Sequence, residues 1–149
     1  FIEKVREILM RTAYPVSLLE FEVTETAFVI NKQLAFSVLH HLQKMGISIA
    51  LDDFGTGMAN FSALSEVRYD YIKIARELFV MLRQSPEGRT LFSQLLHLMN
   101  RYCRGVIVEG VETPEEWRDV QNSPAFAAQG WFLSRPAPIE TLNTAVLAL

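Results

Sequence analysis

Cysteine is nearly absent: Cys103 stands alone in 149 residues. An internal disulfide framework is thereby excluded, and the composition suits a reducing compartment. A basic excess is lacking too. Lysine and arginine number 14 against 17 acidic residues, a formal net charge of −3. A sequence-independent grip on DNA or RNA is therefore not expected. No apolar run approaches the roughly 18 residues of a membrane span, and the first residues do not read as a signal peptide. His40, His41 and His97 fall in helical patterns without the clustered spacing of metal ligands. What is present is a chain that is 50% hydrophobic, enough for one globular domain with a real core. It begins at Phe1, directly in a helical pattern. That start reads as a piece of a longer chain, with any anchor or sensor domain upstream out of view.

Hydrophobic periodicity orders the chain into alternating elements. Residues 1–13 read as a helix with Ile2, Val5, Ile8 and Leu9 on one face, ended by Pro15. Residues 18–24 read as a strand. Residues 31–45 read as a helix burying Leu34, Ala35, Val38, Leu39, Leu42 and Met45, with Gly46 where a C-terminal glycine belongs. Residues 47–51 are a short apolar strand running into the turn Asp52-Asp53-Phe54-Gly55-Thr56-Gly57, and residues 69–74 a third strand. Ser85-Pro86 opens a helix to about Cys103, with Leu91, Leu95, Leu98, Met99 and Tyr102 inward. Residues 105–108 are a fourth strand, and Thr113-Pro114-Glu115-Glu116 reads as a capping box. Residues 127–133 are a fifth strand, residues 139–147 a last helix. Short apolar strands alternating with helices predict an α/β fold: a parallel sheet with crossover helices.

The polar groups fall at particular places in this pattern. Glu22 and Glu25 lie at the end of the first strand, Asp52 and Asp53 after the second, Lys73 near the end of the third. Glu109 and Glu112 follow the fourth, and Gln129 lies on the fifth. In parallel α/β folds the carboxyl ends of the strands share one rim, and active sites form there. Taken singly, each acid reads as an N-cap or a solvated loop residue. Recurring at every strand end, they predict converging carboxylates, which repel one another unless cations neutralise them. Oxygen ligands suit the hard cations Mg²⁺ and Mn²⁺. With a lysine among them, such a cluster suggests two-metal phosphoryl chemistry.

Five segments in register then carry a resemblance. Glu22-Val-Thr-Glu25, Asp52-Asp-Phe-Gly-Thr-Gly57, Tyr71-Ile-Lys73, Glu109-Gly-Val-Glu-Thr113 and Gln129-Gly-Trp-Phe-Leu-Ser-Arg-Pro136 resemble, in order and spacing, the motifs of the EAL domain family of cyclic di-GMP phosphodiesterases. The resemblance implies a TIM-like (β/α)₈ barrel that hydrolyses cyclic di-GMP to linear pGpG with two Mg²⁺ or Mn²⁺ ions in the bacterial cytoplasm. It implies metal ligation by Glu22, Asp52, Asp53 and Glu109, with Asp52 bridging and Asp53 holding the second ion. Lys73 would help hold the attacking water and the scissile phosphate, and Glu109 would assist metal binding or deprotonate water. Glu25 would brace the loop after Asp53; Glu112 and Gln129 would support the pocket or contact the nucleotide. Arg135 reads equally as a phosphate contact or a loop brace against a carboxylate, and Trp131 as a base-stacking surface or barrel filling.

The match also departs from the family. Its Lys-Ile-Asp reads Lys73-Ile74-Ala75 here, and Met58 replaces an aromatic. A barrel needs about 250 residues; five of eight strands are expected here. Residues 1–149 are thus expected to be the C-terminal part of one EAL domain, without the strands bearing the naming Glu-Ala-Leu motif and a metal-binding asparagine. Alone, such a piece should hydrolyse nothing at a useful rate, and its unpaired sheet edges should drive swapping or homodimer formation. A cyclase (GGDEF) or sensor domain is a further partner expected upstream. Two alternatives stand beside catalysis: a degenerate cyclic di-GMP receptor, which Ala75 favours, and a protein-interaction domain that has abandoned the nucleotide.

Overall fold

A computed structural model describes residues 1–24, 27–56, 64, 67–138 and 140. The expectations for Glu25, Gly57, Met58 and the helix at residues 139–147 lie outside the described residues. The elements are α1 (Ile2–Thr12), β1 (Glu20–Thr24), α2 (Ala27–Ile30), α3 (Lys32–Lys44), β2 (Ser48–Phe54), β3 (Tyr71–Ile74), α4 (Arg76–Arg83), α5 (Pro86–Met99), β4 (Gly105–Val108), α6 (Pro114–Gln121) and β5 (Ala127–Ala128). The five strands form one parallel sheet in the order β1-β2-β3-β4-β5. The sheet is open, with β1 and β5 at its edges.

The sheet is the core. Ile49, Ala50, Leu51, Ile72, Ile74, Val106 and Val108 are fully buried, so the central strands are covered on both faces. That is why they read as continuous apolar runs rather than alternating ones. Each of the larger side chains, Ala50 excepted, contributes about 1.5–3 kcal/mol by leaving water. β1 is different: Glu20 and Glu22 are exposed and Phe21 half-buried, as befits an edge.

The helices begin where their caps lie. Asn31 accepts the Leu34 N–H at 3.0 Å and starts α3, which buries Leu39 and Leu42 and ends before Gly46 at φ +87°. Ser85 accepts the Gly88 N–H at 3.0 Å and starts α5, with Pro86 in its first turn. The capping box is present: Thr113 Oγ1 accepts the Glu116 N–H and Glu116 Oε2 accepts the Thr113 N–H, both at 3.1 Å.

Several details differ from expectation. The first strand starts at Glu20, after a 3₁₀ turn at Val16–Leu18. β2 runs on through Asp52 and Asp53 to Phe54, so these acids sit in the strand and not behind it. β5 is two residues long, and Gly130 to Leu133 leave the sheet in a turn closed by Leu133 and Ser134 N–H groups donating to the Gly130 carbonyl. The phase of α5 is shifted. Phe92, Leu96 and Met99 are its buried stripe, whereas Leu91 is 55% exposed and Leu98 and Tyr102 also face outward. The helix carries two adjacent apolar stripes, and α4 decides between them: Phe79 packs on Phe92 with ring centroids 5.3 Å apart. α4 itself was not expected; its Phe79 and Leu82 are too few to register as a period. Ile8 and Leu34 likewise prove exposed.

Candidate metal and phosphodiester site

The carboxyl ends of the strands gather the acids. In the parallel register, Thr24 pairs with Asp52 and Lys73 with Ile107, bringing these strand ends level. The Lys73 ammonium, 6% exposed, is the centre of the cluster. Its Nζ lies 2.8 Å from Glu22 Oε1, 3.1 Å from Asp52 Oδ1 and 2.7 Å from Glu109 Oε1. Burial disfavours its charge, but the carboxylates of Glu109, Glu22 and Asp52 outweigh that and raise its pKa above the usual lysine value. Burial pushes the Glu109 carboxyl up; Lys73 opposes this, and the negative charges of Asp52 and Asp53 add to it, for a net rise.

A second grouping overlaps the first. Asp52, Asp53 and Glu109 each bring a carboxylate oxygen within 4.8 Å of the others. In a regular strand, adjacent aspartates point to opposite faces. Here the β2–β3 register shifts between Leu51 and Phe54, and Asp53 has φ +56°. A bulge with one left-handed residue swings Asp53 toward the same place as Asp52, a common use of bulges beside functional sites. Asp52 Oδ1 is buried and, although near Lys73, accepts no well-aligned hydrogen bond. A buried carboxylate oxygen left in this state, beside two other acids, fits a hard divalent cation. Glu22 shares Lys73 but is not in this trio.

The remaining expected residues lie one loop away. Glu112 lines a cavity of about 460 Å³ with Gln129, Trp131 and Arg135. Gln129 is fixed by its backbone, its N–H donating to the Val108 carbonyl at 2.8 Å. Trp131 is 58% exposed in this open portion of the fold. The Arg135 guanidinium lies 4.6 Å over the Trp131 ring, a cation–π contact, and pairs with no carboxylate among the described residues. Glu112 pairs with Arg76 at 3.0 Å, a partner that no local sequence pattern singles out. A larger cavity of about 640 Å³ lies at the opposite, amino ends of the strands. Among its described lining residues the one carboxylate, Asp70, is paired with Arg104 at 3.1 Å.

With that geometry in hand, comparison with known proteins is decisive. The EAL domain family matches residues 1–136. The chain belongs to the EAL domain family. The crystal structure of the EAL domain of Mycobacterium smegmatis DcpA superposes with a TM-score of 0.85 at 26% identity, covering 99% of this chain and 66% of that one. The manganese and cyclic di-GMP complex of Klebsiella pneumoniae BlrP1 has a TM-score of 0.79 at 28% identity over 91% of this chain and 35% of that one. Cyclic di-GMP phosphodiesterase NbdA of Pseudomonas aeruginosa is 28% identical over 142 residues, 95% of this chain and 18% of that protein. The chain spans only 17–20% of the length of curated relatives such as these. This EAL segment therefore carries the TIM-barrel-like fold of its family as an open, five-stranded parallel portion. No helix among its described residues is long and apolar enough to cross a membrane.

Proposed function

We propose that residues 1–149 are the C-terminal part of one EAL domain, and that the intact domain hydrolyses cyclic di-GMP to linear pGpG. The observation that carries the proposal is the Lys73 ammonium held among Glu22, Asp52 and Glu109, with Asp53 turned toward the same point by its bulge. The relatives' phosphodiesterase names and the nucleotide complexes of similar structures support it. Asp52, Asp53, Glu109 and Glu22 would hold two Mg²⁺ or Mn²⁺ ions. Bound there, the ions would supply an activated water and charge stabilisation.

The chain's own groups supply the rest. Lys73 cannot drift, because three carboxylates fix its position and keep it protonated; it offers a fixed positive charge to the phosphate oxygens as their charge grows. Glu109, whose proton affinity burial raises, receives a proton from the attacking water at Oε. Water adds to phosphorus, the bond to the 3′ oxygen breaks, and that oxygen takes a proton from solvent to leave as a hydroxyl while Glu109 returns its proton to solvent. The cavity between Glu112, Gln129 and Arg135 is beside these acids and would take part of the nucleotide. Ala75 is buried at the start of α4, and the acid set around Lys73 is assembled without a carboxylate there, which supports turnover over the receptor reading. A cytoplasmic setting suits the lone Cys103, and further domains suit the small share of the relatives' length that the chain matches.

The test is direct. The domain, extended upstream to include the remaining strands, is incubated with cyclic di-GMP and Mg²⁺ or Mn²⁺, and the linear product is followed by chromatography. Turnover is expected, and Asp52→Asn should reduce it by more than the ~10–100-fold typical of losing a group that only supports a ligand. Nucleotide binding without turnover by a folded wild-type domain would make this a receptor; neither binding nor turnover would leave an interaction domain.

A further inference from the structure

Arg76 opens α4, three residues beyond Lys73, and its guanidinium crosses to the loop that follows Glu109. Nη1 donates to the Gly110 carbonyl and lies 3.3 Å from Glu116 Oε2. Nη2 lies 3.0 Å from Glu112 Oε2 and 3.3 Å from Glu116 Oε1. Glu116, only 4% exposed, in turn accepts the backbone N–H groups of Glu112 at 2.7 Å and Thr113 at 3.1 Å on one oxygen. One guanidinium and one carboxylate thus hold Gly110, Glu112 and Thr113, three of the four residues after Glu109. Gly110 has φ +67°, and a Cβ there would come within 2.6 Å of Arg76 Cβ, so the loop is closed down on the arginine's stem. Lys73–Glu109 and Arg76–Glu112 are two rungs between the same two strand ends.

We infer that Arg76 is a positioning residue for the proposed phosphodiester hydrolysis: through Gly110, Glu112 and Glu116 it fixes the loop that carries Glu109, and hence the separation of Glu109 from Asp52 and Asp53. The inference rests on the reading of the site as a phosphodiesterase centre. A planar fork is required, because four acceptors on two residues and a carbonyl are served at once; a lysine supplies the charge without that geometry.

A matched control is built into the fold. Arg83, on the same helix α4, pairs with Asp119 on α6 at 2.8 Å, tying the same two helices without touching the loop. Arg76→Lys, Arg76→Ala and Arg83→Ala are compared with wild type in the intact domain. Turnover, Mn²⁺ binding by calorimetry, and amide hydrogen exchange at Glu112 and Thr113 are measured on samples shown to be folded. For Arg76→Lys, kcat should fall and the Mn²⁺ Kd should rise, each about 10-fold or more, as for other groups that orient ligands. KM should rise less than kcat falls, through Glu112 on the nucleotide cavity, and exchange at Glu112 and Thr113 should quicken. Arg83→Ala should keep wild-type kcat, Mn²⁺ affinity and loop exchange. Wild-type behaviour of Arg76→Lys and Arg76→Ala in an active domain would overturn the inference alone, as would an equal loss in Arg83→Ala. A wild-type domain that neither binds Mn²⁺ nor turns over cyclic di-GMP would overturn the functional reading and this inference with it.

Discussion

Asp53 holds a backbone conformation that side chains seldom adopt, and the site depends on it. At φ +56°, aspartate, asparagine and glycine are tolerated, while a β-branched residue is strongly disfavoured. Charge and backbone can therefore be separated by substitution. Asp53→Asn and Asp53→Gly should both melt at the wild-type temperature yet bind Mn²⁺ at least about 10-fold more weakly. Asp53→Val should lose both affinity and about 1–2 kcal/mol of stability, read by urea unfolding of the intact domain. Equal stability of the valine and asparagine variants would mean that the bulge is not strained. The residues of this cluster were legible in the sequence because they recur at strand ends. The bulge was not, since a register shift comes from pairing with β3 and leaves no mark on Asp52-Asp53 itself. Arg76 was invisible for a related reason: its partners Glu112 and Glu116 lie 36 and 40 positions away, and no local pattern couples them.

Among the elements, α6, like α4 through Arg76, has a start that bears on the site. Its Glu116 is buried, which by itself would raise its carboxyl pKa. The Glu112 N–H, Arg76 and the Thr113 N–H outweigh that and hold it below the ordinary 4.5. A carboxyl whose folded pKa is depressed stabilises the fold above its unfolded pKa, and that contribution fades as pH falls through the folded value. Glu116→Gln keeps the shape but weakens the acceptor. At pH 7 it should cost about 1–3 kcal/mol, the usual range for a buried hydrogen-bonded charge left poorly matched. The gap between variant and wild type should close as pH drops below 4.5 and through the depressed folded value, since both then carry a neutral group. Denaturant unfolding at pH 7, 4.5 and 3 measures it, and a gap independent of pH would show that Glu116 acts through packing alone. This element was readable in advance from Thr113-Pro114-Glu115-Glu116, because a capping box is a local signal. The phase of α5 was not, because two apolar stripes competed and only Phe79 of α4 chose between them.

At the scale of the whole molecule, the topology was legible and its closure was not at issue: five parallel strands in sequential order follow from short apolar runs separated by helices. The energetics of the open sheet are the consequence. Among the described residues β1 has a strand neighbour on one side only, and none of its positions is fully buried, whereas β2, β3 and β4 each carry several fully buried ones. Such an edge templates pairing with another chain. If upstream strands of the same domain cover β1, they remove that edge and bury Phe21 and Val23 more completely. Burial of a few such side chains at about 1.5–3 kcal/mol each would raise stability by several kcal/mol, or on the order of 10 °C for a domain of this size, where each kcal/mol moves Tm about 2–4 °C. The 149-residue chain and the upstream-extended domain are therefore to be compared by calorimetry and by sedimentation over a range of concentrations. The shorter chain is expected to melt lower and to associate as concentration rises, and to hydrolyse cyclic di-GMP at no measurable rate. A sharp monomer with the same Tm as the longer domain would mean that β1 is already satisfied as an edge, and that the five strands are an independent folding unit.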